Sequence, residues 1–138
     1  MRYPCLKHLL LHLTCLLLLS FDGPITLTIN ITQLENSDGH ILLQVTDAES
    51  NAVAESIQAI DNKTCTIVFD KLKPGNYSYK YFHDANGNKE LDTNMIGIPK
   101  EGYGFSNNAK GTFGPPSFEK TVFTLQNDTT HNCVITYF

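Results

Sequence analysis

Apolar residues recur at every second position through most of this chain. Ile25, Leu27, Ile29 and Ile31 alternate with threonine and asparagine, and residues 40–46 alternate again after the turn signal Ser37-Asp38-Gly39. A period of two puts one set of side chains on each face of a half-buried strand, so the two segments predict an opening β-hairpin. Residues 64–69 and 77–82 repeat the pattern on either side of Lys73-Pro74-Gly75-Asn76. There proline presets φ and glycine accepts a positive φ, which makes a turn. Residues 118–125 and 133–138 complete at least six expected strands. The Ala-rich stretch 47–61 alternates only weakly around Val53, Ile57 and Ile60, leaving a short helical turn or an edge strand as its two readings. Short strands at this spacing, with no long helix and no internal repeat, predict an all-β fold: a single antiparallel β-sandwich, immunoglobulin-like or prealbumin-like.

The alternation stops at residues 83–117, HDANGNKELDTNMIGIPKEGYGFSNNAKGTFGPPS. So long a segment without strand or helix periodicity is uncommon in a compact domain and, when ordered, is usually functional. Glycines at 97, 102, 104, 111 and 114 permit unusual backbone, while Pro99, Pro115 and Pro116 restrict it. The expectation is a contorted, ordered loop. Its first third carries Asp84, Asn86, Asn88, Glu90 and Asp92, oxygen-bearing side chains at every second position or nearly so. A tight turn converges such oxygens on one point, and hard oxygen ligands in this pattern suit calcium. The spacing departs from an EF-hand, which has glycine at its sixth position and a bidentate glutamate at its twelfth. Lys89 and Met95 stand there, so Glu101 is the candidate closing carboxylate. The competing reading is an Asn86-Gly87 turn with solvated acids. Tyr103, Phe105, Asn107 and Asn108 are the candidate ligand contacts in the remainder, and Tyr103, Phe105 and Phe113 read equally as plugs holding the loop on the sandwich.

The same residues carry a family resemblance. FHDANGNKELDTN followed by GIPKEGYGFSNNAKGTFGPPSF resembles the signature of a bacterial exported family called domain of unknown function 2141, with similarity from about Ile25 to the C-terminus. The resemblance implies a small exported β-sandwich with no established activity. A shorter unit, CTIVFDKLKPGNYSYKYFHD, is similar to transthyretin-like and carboxypeptidase-regulatory sandwich modules, which implies binding or structure more readily than catalysis.

Composition narrows the function classes. A net charge of −4 provides no basic field for nucleic acid or an anionic membrane surface. Arg2 and Lys7 precede an apolar run from Leu9 to Leu19, shorter than a spanning helix needs. Residues 1–23 are therefore expected to be a cleaved signal peptide, with residues 24–138 the mature domain and no membrane span after cleavage. The protein is expected to be periplasmic or secreted, a monomer, and to meet an envelope protein, a peptide or a glycan. Cys65 and Cys133 are the thiols of the mature chain. In an oxidising compartment they are disulfide candidates, or else two buried free thiols packed as small hydrophobes.

His83 and Asp84 adjoin on one strand and so face opposite ways, and neither Ser106 nor Ser117 lies in a nucleophile elbow. No catalytic residues are assigned. The expected function is a calcium-organised binding or structural module of the cell envelope, with a small hydrolase using Asp84, Glu90, Asp92 and Glu101 as the alternative.

Overall fold

The computed structural model describes residues 23–138, so the expected signal peptide lies almost wholly outside the described residues. Eight strands form two sheets: β1 (Ile25–Thr32), β2 (His40–Asp47), β3 (Ala52–Ala59), β4 (Cys65–Leu72), β5 (Gly75–Asp84), β6 (Tyr103–Phe105), β7 (Phe123–Leu125) and β8 (Thr129–Val134). One sheet has the order β4-β1-β8; the other runs β3-β2-β5-β6, with β7 also on β5. The packed pair is a β-sandwich, as the period-two pattern predicts. Its core is built from the alternating residues themselves. Ile25, Leu27, Ile29 and Ile31 on β1 meet Ile41, Leu43 and Val45 on β2, Ile67 on β4 and Tyr77, Tyr79 and Tyr81 on β5, all buried. No helix among the described residues is long and apolar enough to cross a membrane.

Four details differ from the expectations, one being the last strand, which is β8 at Thr129–Val134 and not residues 133–138. The opening hairpin does not form: β1 pairs with β4 and β8, whereas β2 pairs with β3 and β5. The connection instead arches over the end of the sandwich and buries Leu34 in the core. Both strands present an apolar face, and facing each other across the core buries those faces as pairing edge to edge does not. Nor is the sandwich wholly antiparallel, because β8 runs parallel to β1. After β7 the chain turns at the base of the sandwich, where the Asp128 carboxylate accepts the Thr26 N–H (2.8 Å), and climbs beside β1 in the same direction. Finally, residues 118–125 are not one strand. Phe118–Thr121 is a short helix, α1, and only Phe123–Leu125 pairs with β5. The Ala-rich stretch is an edge strand, β3, exposed on both faces over most of its length, which is why it scarcely alternates.

The cysteines are not bridged. Ile31 pairs with Cys65 on one side and with Cys133 on the other. Their Cα atoms are thus two strand spacings apart, about 10 Å, where a disulfide tolerates about 7 Å. Both are buried free thiols. Burial pushes the Cys65 thiol up to about 11 and raises Cys133 as well, so neither is a thiolate at neutral pH. The Cys133 sulfur and His131 Nδ1 each lie 3.0 Å from the Tyr79 hydroxyl. Among the described residues no buried side-chain polar atom lacks a partner.

Candidate functional site

Asp84 ends β5 at the loop end of the sandwich and is buried. Its carboxylate gathers the chain that follows: Oδ1 accepts the N–H groups of Gly87 (2.8 Å) and Asn88 (3.1 Å), and Oδ2 accepts that of Lys89 (3.0 Å). The turn requires left-handed backbone at Gly87 (φ 77°) and Lys89 (φ 64°). Lysine pays a steric penalty there that glycine avoids. The asparagines fold inside this turn. Asn86 Oδ1 accepts the Asn88 N–H and Asn88 Oδ1 accepts the Glu90 N–H, while both side-chain amides donate to Asp92, at 2.6 and 3.1 Å. Glu101, also buried, ties the ends together by accepting the Ala85 N–H on Oε1 and the Asp92 N–H on Oε2, each at 3.1 Å.

The spacing read from the sequence therefore does bring Asp84, Asn86, Asn88 and Asp92 into one hydrogen-bonded cluster. Glu90 joins through its backbone, and its side chain is exposed. The cluster is closed by N–H donors. Among the described residues no three acidic, histidine or cysteine side chains stand in metal-holding proximity.

Two arms project beyond the cluster. The first is a tight excursion in which Asn94 Oδ1 accepts the N–H groups of Ile96 and Ile98, both at 3.0 Å, and Thr93 bridges to Pro99. Met95 and Ile96 at its tip are 104% and 80% exposed. The second arm leaves β6 and returns through α1. β6 and β7 both lie antiparallel to β5, against residues 80–82 and 75–77, so they are two pieces of one edge strand interrupted by this excursion. Ser106 repairs the gap. Its Oγ accepts the Tyr79 N–H (3.1 Å) and donates to the Thr121 carbonyl (2.6 Å), replacing the missing ladder bond.

Asn107 and Asn108, the candidate ligand contacts, brace the fold from exposed positions. Both adopt left-handed backbone, at φ 61° and 51°. The Asn107 amide donates to the carbonyls of Lys120 and Val122, and Asn108 both donates to the Asn132 carbonyl and accepts the Val134 N–H. Both side-chain amide nitrogens are thus directed into the fold. Ser106 is fully buried and bonded in the same way.

Between the arms lies a cleft of about 620 Å³, within the size range of small-molecule sites. Tyr103 and Phe105 form its floor, with their rings edge-on at 6.0 Å, and Phe138 stacks on Tyr103 at 5.8 Å. Leu91, Ile96 and Ile98 line the first arm, and Phe113 and Pro115 the second. Phe113 is fully exposed and so is no plug. Tyr103 also ends an apolar row across the outer sheet face, Ile57-Leu42-Phe82-Tyr103, set by strand register. Of the cleft's lining, sequence reasoning found Tyr103, Phe105 and Phe113. It missed Leu91, Ile96 and Ile98, large apolar side chains outside any period, and Phe138, which it placed at the end of an expected strand.

Residues 29–132 match the family described as "Uncharacterized protein conserved in bacteria (DUF2141)". The chain belongs to this family. No curated protein and no solved structure matches it. The match to DUF2141 takes in every strand from β1 to β8 at least in part, with both loop arms, so the cleft is built almost entirely from residues of the family domain.

Proposed function

We propose that this DUF2141 domain is an exported, non-enzymatic binding module of the cell envelope that captures an apolar ligand in the cleft between its loop arms. The observation carrying this reading is the exposure of Ile96, Ile98, Phe113 and Phe138 around one concavity at one end of a well-packed sandwich. Large apolar groups gathered at one place on a monomer's surface mark an interaction site. The acids support a scaffolding role, since Asp84 and Glu101 use both carboxylate oxygens on backbone N–H groups and no acid lines the cleft. A hydrolase using Asp84, Glu90, Asp92 and Glu101 has no comparable observation in its favour.

Nile red, a neutral dye that brightens in apolar surroundings, tests this. The unmutated domain is expected to enhance its emission, and Ile96→Asp is expected to abolish the enhancement without shifting Tm, because Ile96 is 80% exposed. Enhancement that persists in the variant would contradict the reading.

Calcium remains part of the proposal. Asn86, Asn88 and Asp92 already meet around the Asp84 turn, and Lys89 takes the left-handed conformation that calcium loops give to a glycine. An ion there would require the Asn86 and Asn88 amides to turn, giving up the bonds their oxygens accept from the Asn88 and Glu90 N–H groups, to set carbonyl oxygens beside the Asp92 carboxylate. A native-state site at a hundredfold excess of ion over Kd adds about 2.7 kcal/mol, raising Tm by roughly 10 °C over an EDTA control. Superimposable melting curves would remove the ion from this account.

A further inference from the structure

We infer that β3 pairs with β3 of a second copy of this chain, antiparallel and across a two-fold axis at Ile57, so that two five-stranded sheets become one. The cleft does not enter this inference, which sets a dimer in place of the monomer expected from the sequence. Three other sheet margins are closed or guarded. Beside β8, Asn108 accepts the Val134 N–H (2.9 Å) and donates to the Asn132 carbonyl (3.2 Å). Beside β6, Tyr103 and Thr136 exchange two backbone bonds of 2.9 Å. The β4 margin carries Asp70 and Lys71 next to a register shift, and its outward face continues the polar ladder Thr66-Asn30-Asn132. Charges and bulges of that kind keep an edge from meeting another strand. β3, AVAESIQA, has no lysine, arginine or proline, and its one charge is Glu55.

The backbone of β3 is free to pair. His83 donates its N–H to the Gly102 carbonyl (2.8 Å) and Tyr79 donates its own to Ser106 Oγ (3.1 Å), so the odd-numbered residues of β5 face away from β2. Hydrogen-bonded and free pairs alternate along antiparallel strands. Leu42 and Gln44 therefore bond to β5, and Ile57 and Glu55, opposite them on β3, turn N–H and C=O outward. The register shift between Val45 and Thr46 leaves residues 54–59 as the regular edge. A register centred on Glu55 sets like charges opposite each other, which opposes pairing, and one centred on Ser56 sets each Ile57 against a carboxylate. Centred on Ile57, the pairing sets Glu55 opposite Ala59 of the partner subunit and brings the two isoleucines together. Ile57 is 53% exposed and ends the apolar row Ile57-Leu42-Phe82-Tyr103, so this register makes the row continuous through the dimer. The match is self-complementary, as a two-fold contact requires.

Sedimentation equilibrium of residues 24–138 provides the test. A contact this short lies at the small end of specific interfaces, below about 1,200 Å², so the average mass is expected to climb toward twice the monomer value only at concentrations on the order of 100 μM. Ile57→Lys is expected to hold the monomer mass at every concentration with Tm unchanged, because the side chain is half-exposed. Ile57→Cys is expected to form a disulfide-linked dimer on mild oxidation, since Cα atoms of a hydrogen-bonded pair lie about 5.5 Å apart, within bridging range. Glu55→Cys, on the same face, is expected not to, because its two copies are separated along the strands by four residues. The native thiols Cys65 and Cys133 are buried and take no part. Ile57 does not line the cleft, so dye binding there and dimerisation succeed or fail separately. A monomer mass at all concentrations would overturn the inference, and so would a dimer that survives Ile57→Lys or cross-links through Glu55→Cys instead of Ile57→Cys.

Discussion

Gly39→Ala is expected to destabilise the domain by about 4 kcal/mol, the sum of a left-handed backbone penalty of about 1–2 kcal/mol and overpacking of about 1–3 kcal/mol. Gly39 has φ 65°, and a Cβ there would lie 1.9 Å from the Asp84 carbonyl oxygen and 2.9 Å from the Ala85 Cα. Those are backbone atoms at the root of the acid loop and cannot rotate aside. Gly87 provides the internal control: its φ is 77°, yet nothing lies within 4 Å of an added Cβ. Gly87→Ala should therefore cost only the backbone penalty, about 1–2 kcal/mol. Urea unfolding of the two variants measures the difference, and equal losses would show that the close approach of the β1–β2 arch to the loop is not rigid.

Asp84→Ala is expected to cost about 3 kcal/mol and, more tellingly, to release the loop. Three N–H groups lose a charged acceptor, each worth about 1.5–3 kcal/mol, offset by water reaching the opened turn. The strands should survive, because the core around Ile29, Leu43, Ile67 and Tyr79 makes no use of the carboxylate. Limited proteolysis checks this by rapid cutting within residues 85–99 of the variant and slow cutting of the unmutated protein. Asp84→Asn keeps one acceptor oxygen and should lie between the two. A variant cut no faster than the parent would show that the loop is held by something other than this hub.

The strands with one buried face were legible because burial on one side forces alternation: β1, β2, β4 and β5 all carry it, at least in part. β3 was ambiguous for the complementary reason, since a strand exposed on both faces has no pattern to display. Pairing partners were not legible. Periodicity reports which residues face inward and not which edge they meet, so β1 and β2 read as a hairpin when they lie in opposite sheets. The break between β6 and β7 was hidden too, because it depends on Ser106 standing in for a backbone bond across many residues of chain. In the loop, the regular spacing of Asp84, Asn86, Asn88 and Asp92 marked a convergent cluster, and Glu101, expected as a closing calcium ligand, closes the loop through the Ala85 and Asp92 N–H groups. The cleft escaped because Leu91, Ile96, Ile98 and Phe138 come together only once the two arms are folded.

The central claim is that the loop is a pre-organised platform holding the cleft open. Native-state hydrogen exchange of the amides of Ala85, Gly87, Asn88, Lys89 and Asp92 tests it most directly, because each donates to the Asp84 or Glu101 carboxylate. The account predicts that these amides are protected well beyond the exposed tip residue Met95. Exchange of all five at the rate of an unstructured chain, while β1 and β5 stay protected, would contradict it.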